Sequence, residues 1–173
     1  MKTRVFLTVG LMILLGVGLV SLTLDTGQAQ ADTTRYVREG GTGDGTSWAT
    51  ASGTPQDMID AVEVAGGGEV WVASGTYTPT VMNGGTTTRH LSFQMKNNVG
   101  IYGGFPSTGS PAWTDRNWEA FRSTFCGEIG NPGTITDNCY HVFYHPGSLN
   151  LDNTAILDGF IITKGGDIYG KEQ

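Results

Sequence analysis

The sequence predicts an all-β fold in which short parallel strands stack along a coiling chain, a β-solenoid. An antiparallel sandwich is the alternative. Three observations carry the prediction. Short strand candidates recur along the chain, and several are apolar or β-branched almost throughout, as buried strands are. They are separated by Gly, Asn and Asp turns and not by hairpin dipeptides of the Asn-Gly type. The 27 glycines and a charged fraction of only 15% suit many turns and short strands better than helices. The strand starts do not fall on one fixed period, so periodicity alone does not separate solenoid from sandwich.

The chain opens with an export signal. Lys2 and Arg4 form a basic start, residues 5–20 are almost wholly apolar, and Ala29-Gln30-Ala31 is a small-residue cleavage site. The apolar run falls short of the roughly 18–20 residues of a spanning helix. We therefore read 1–31 as a cleaved signal peptide and 32–173 as the mature domain. A retained anchor is the alternative, and it too would place the domain outside. No second apolar run could span a membrane.

Of the chain's 10 basic and 16 acidic residues, all but Lys2, Arg4 and Asp25 fall in 32–173, leaving 8 against 15 there. An acidic chain without a basic run is a poor partner for nucleic acid.

In order, Arg35–Arg38 reads as a first strand, and 39–47 as a polar glycine-rich loop closed by Trp48. One helix follows. Thr54 is its N-cap, Pro55 its first residue, Asp57 sits in its first turn, and Met58, Ile59, Ala61, Val62 and Ala65 form an apolar stripe. Gly66-Gly67-Gly68 ends it. Strands are expected at 69–73, 76–78, 91–95, 99–102, 123–126, 140–144 and 155–163, with a polar excursion at 79–89 and a long loop at 105–121.

Cys126 and Cys139 are the only cysteines. In an exported chain an even count permits a disulfide, which is the expectation here; two buried free thiols are the alternative. No metal site is expected. His141 and His145 lie four apart on a strand-like stretch, about 13 Å at ~3.3 Å per residue, too far for one ion. Asp44, with Glu39, offers too few oxygens for Ca²⁺, so calcium has no support and no cofactor is expected. No catalytic set can be nominated from spacing. The best binding candidates are Trp113 and Trp118 with Asp115 and Arg116 between them, because exposed indole rings stack on sugars; rings that merely pin the loop are the alternative.

The order Tyr36-Val37, Gly43-Asp44-Gly45-Thr46-Ser47-Trp48, capped helix, Glu69-Val70-Trp71-Val72-Ala73 and Gly75-Thr76-Tyr77 resembles the N-terminal entry of right-handed parallel β-helix proteins of the pectate-lyase-like superfamily. It is similar in particular to large bacterial secreted proteins built of right-handed β-helix repeats. The likeness continues through 92–105, 126–130, 137–142 and 157–163. It implies a right-handed parallel β-helix with a short capping α-helix, incomplete at its C-terminal end. Val70, Val72, Ile101, Val142, Ile156 and Ile161 would then stack inside. An open last rung would invite self-association.

The expected function is that of a secreted or cell-surface bacterial protein, non-catalytic and adhesin-like or structural, with an extracellular glycan or envelope component as partner. The alternatives are a fragment of a polysaccharide lyase or hydrolase, or a carbohydrate-binding module.

Overall fold

The computed structural model describes residues 33–166. The signal segment 1–31 lies outside them. Seven strands and one α-helix follow in the order β1 (Thr33–Val37), α1 (Pro55–Val64), β2 (Gly68–Ala73), β3 (Gly75–Tyr77), β4 (Val99–Phe105), β5 (Ser123–Cys126), β6 (Ile156–Asp158) and β7 (Phe160–Thr163). Short 3-10 turns fill several of the connections.

Two sheets result, β1-β2-β4-β6 and β3-β5-β7. Every ladder between these strands is parallel, which removes the antiparallel sandwich.

The all-β, right-handed parallel β-helix expectation is also corrected. The described residues form a mixed α/β arrangement of one ten-residue helix and two small parallel sheets of four and three strands. The expected strands at 91–95 and 140–144 do not form. They meet only at one isolated parallel bridge, Phe93 with Phe143. The physical reason lies in where the backbone donors go. The Gln94 N–H is donated to Gln56 Oε1 (2.8 Å), the Met95 N–H to His145 Nε2 (2.9 Å) and the Ser92 N–H to the Val81 carbonyl (3.0 Å). Donors that side chains and a neighbouring loop have taken cannot build a ladder.

The helix forms where the sequence puts it. Thr54 occupies the N-cap position, but its hydroxyl donates to Asp57 Oδ2 at 2.6 Å instead of accepting a backbone N–H. Met58, Ile59 and Val62 are buried, and the helix lies on β1, β2 and β4. That contact supplies what a ten-residue helix lacks by itself.

The core joins Val37, Ile59, Val62, Val70, Val72, Val99 and Ile101 to the rings of Phe93 and Phe125. Parallel register places Val70 opposite Ile101, and Ile101 opposite Leu157. Leu157, not Ile156, thus faces inward, and Ile156 and Ile161 are each 40% exposed, contrary to expectation. A shift of one residue in a strand sends the neighbouring side chain to the other face. Phe160 fills the matching place beside β5, its ring stacked on Phe125 at 4.6 Å.

A second apolar layer covers the outer face of the four-stranded sheet. Tyr36, Trp48, Trp71 and Phe105 pack ring on ring there; Trp71 and Phe105 are stacked nearly parallel at 4.8 Å. Trp48 is buried and donates its indole N–H to the Pro111 carbonyl at 2.8 Å, which ties the long loop to this layer.

Candidate functional site

The loop carrying the four predicted binding residues leaves β4 through a bulge. Trp71 pairs with Tyr102 but Ala73 pairs with Phe105, so one extra residue sits on β4. Gly104 has φ +95°, and a Cβ there would lie 2.8 Å from the Trp118 backbone. Only glycine lets the loop return this close. The Asn117 N–H then donates to the Gly104 carbonyl at 2.7 Å and fixes where Trp118 emerges.

Trp113, Asp115, Arg116 and Trp118 do not converge on one site. Trp113 packs against Trp71, Tyr102 and Phe105 and is still 44% exposed. Asp115 accepts the Ala112 N–H at 2.8 Å, a purely local bond. Arg116 lies over the Tyr102 and Trp113 rings, donates Nε to the Gly103 carbonyl at 2.6 Å and forms an ion pair with Asp158. Arg116 therefore fastens the loop to β4 and β6, and Trp113 packs it against the ring layer. Trp118 differs. It is 57% exposed and walls a hollow of about 420 Å³ with Glu119, Arg122, Gly159, Phe160 and Ile161.

A smaller cavity of about 240 Å³ went unpredicted. Asn83, Gly84, Arg89, His90 and Ser92 face Tyr140, His141 and Tyr144 across it. Residues 81–92 double back on themselves: Met82 and Leu91 form an antiparallel bridge, and the Asn83 N–H donates to the His90 carbonyl at 2.9 Å. Asn83-Gly84 is the one Asn-Gly dipeptide between strand candidates, but it makes no two-residue hairpin turn: Asn83 pairs with His90, and residues 84–89 form the loop. Gly84 has φ +81°, and a Cβ there would meet the Tyr144 ring at 2.5 Å, so the ring lies directly on the glycine backbone.

Both cysteines are buried and free, so the expected Cys126–Cys139 disulfide is not formed in this structure. Cys139 is set by its N–H bond to the Gly127 carbonyl (2.9 Å), and its Sγ lies against Gly127 rather than bonded to Cys126. Burial, and then the neighbouring Cys126, push its thiol up to about 11.

Other predicted polar residues are structural. Asp44 accepts the Thr46 N–H (3.0 Å) and hydroxyl (2.8 Å), bonds that hold its carboxyl below the usual range. Asp152 is lowered likewise by the hydroxyl and N–H of Thr154. His145 is lowered by burial and accepts the Met95 N–H, while His141 stacks on Tyr144 at 5.9 Å. Among the described residues no group of three or more His, Cys, Asp or Glu could hold a metal ion. No helix among them is long and apolar enough to cross a membrane.

Set against known protein families, characterised proteins and solved structures, the chain matches none.

Proposed function

We propose that the protein works outside the cytoplasm, secreted or at the cell surface, as a non-catalytic adhesin-like or structural envelope protein. It would hold an extracellular glycan or envelope component at the Trp118 hollow. One observation carries the reading: a large indole, 57% exposed, beside a hollow of about 420 Å³ that also offers Glu119 and Arg122. A partner that covered this ring would gain the free energy of burying it. Indole faces suit the C–H faces of sugar rings, and the flanking charged groups suit hydroxyls. The basic, apolar and Ala29-Gln30-Ala31 order at the N-terminus supports export.

The test is retention of the exported protein on immobilised envelope polysaccharides. The reading expects retention that Trp118→Ala abolishes. Release of shortened or unsaturated sugars from the same polysaccharides would replace it with a catalytic one.

A further inference from the structure

We infer that the cavity between residues 83–92 and 140–144 is a binding site for a single uncharged sugar ring, distinct from the Trp118 hollow. The two share no residue.

The cavity's chemistry selects the ligand class. Ser92 is 2% exposed, lines the cavity, and its Oγ has no hydrogen-bond partner among the described residues. Its backbone is fixed on both sides: the N–H donates to Val81, and the carbonyl accepts from Asn83 Nδ2 at 2.9 Å. These bonds hold the residue in the cavity wall. A buried hydroxyl without a partner costs about 1–3 kcal/mol. A ligand hydroxyl reaching it would recover that cost.

The rest of the lining matches a polyol. His90 Nδ1 is engaged with the Thr87 hydroxyl at 2.8 Å, which leaves Nε2 for a ligand. Asn83 has committed Nδ2, which leaves its amide oxygen. The hydroxyls of Tyr140 and Tyr144 and the ring nitrogens of His141 can donate or accept. Sugar hydroxyls also do both, so mixed lining groups suit them better than they suit an ion.

Among the described residues Arg89 is the only fixed cation in the lining, and the protein holds it in place: Nε donates to the Asn138 carbonyl at 2.7 Å, Nη2 donates to Gly166, and its guanidinium lies 4.0 Å over Tyr140. Among the described residues no carboxylate lines the cavity to attract a cation. Size completes the case. At about 240 Å³ the cavity lies below the roughly 300–1,000 Å³ of sites for drug-sized ligands. It suits one ring, with the Tyr140 and Tyr144 rings as part of its wall.

The experiment is saturation-transfer NMR and calorimetric titration of the exported protein with the methyl pyranosides of glucose, galactose and mannose. Glucuronate serves as the charged control. The proposal expects binding of at least one methyl pyranoside. Ser92→Ala should weaken it about tenfold, the effect of one lost hydrogen bond. The melting temperature should not fall, because the variant removes an unpaired buried hydroxyl. His141→Ala, at an exposed position with a single ring contact, should weaken binding several-fold with the fold intact. Absence of binding by all three sugars, binding of glucuronate alone, or an unchanged affinity in Ser92→Ala would each overturn the proposal. Trp118→Ala separates the two sites: binding that survives it belongs to this cavity, and binding lost with it belongs to the hollow and defeats the inference.

Discussion

The Ser123 hydroxyl, fully buried, accepts the Gly104 N–H at 3.0 Å and lies 3.0 and 2.9 Å from the carbonyls of Val72 and Ala73. Ser123 begins β5 in one sheet, while Val72, Ala73 and Gly104 belong to β2 and β4 in the other. A single side chain thus ties the two sheets at the bulge from which the Trp118 loop departs.

Ser123→Ala should accordingly destabilise the fold by about 1–3 kcal/mol, since it takes the acceptor from the buried Gly104 N–H and a donor from the Val72 and Ala73 carbonyls. Urea unfolding should show a lower midpoint with an unchanged slope. A midpoint equal to that of the native chain would mean that the tie carries no weight.

Phe125 is the centre of the ring cluster, with Phe93 at 4.5 Å, Phe160 at 4.6 Å and Phe143 at 5.1 Å. Phe125→Ala should cost about 3–5 kcal/mol, by lost burial and a cavity that packed neighbours cannot fill. Thermal unfolding checks this, and a loss below about 1 kcal/mol would show that the cluster is loose.

How much of this was legible beforehand differs by element. The helix was, because Thr54, Pro55, Asp57 and the stripe of Met58, Ile59 and Val62 are local signals that agree with one another. Strand positions were legible where β-branched residues cluster, as at Val70 and Val72. The fold class was not, because it depends on where donors go. No local pattern says that Gln56 and His145 take the N–H groups of Gln94 and Met95. The inward choice of Leu157 over Ile156 was equally hidden, since both are apolar and only register decides. At the candidate sites, residue type alone nominated Trp118. Arg116 looked similar in sequence, but Gly103 and Asp158, far along the chain, claim it.

Stability should fall as the pH drops below neutrality. Burial lowers the pKa of His145, and its Nε2 accepts the Met95 N–H, which requires a neutral ring. In the unfolded chain the ring takes a proton near pH ~6.5, while the folded chain resists it. The contribution is therefore present above that pH and lost as the pH falls through the folded value. The carboxyls of Asp44, Asp152 and Glu128 are held low and act only in more acid solution. Urea midpoints measured between pH ~7.5 and ~5 should decline in the native chain and stay flatter in His145→Gln. Parallel declines in both would remove His145 as the cause.

Self-association should run through the β6 and β7 edges. The outer edge of β1 is closed, because the Tyr36 N–H donates to Gly45 and its carbonyl accepts from Ser52. Among the described residues β6 and β7 are the last strands of their sheets, and Ile156, Ile161 and Ile162 are exposed beside them. Open apolar edges pair with other chains. Light scattering should find more than a monomer, with Ile162→Lys shifted toward monomer; a monomeric native chain would contradict this.

The most direct measurement of the central claim is to screen the exported protein against an array of extracellular and envelope glycans, then weigh each glycan it releases. The account predicts a retained glycan that returns at unchanged mass. Trp118→Ala should weaken retention by about 2 kcal/mol, roughly thirty-fold. Retention of no glycan, equal retention by Trp118→Ala, or recovery of cleaved glycan would contradict it.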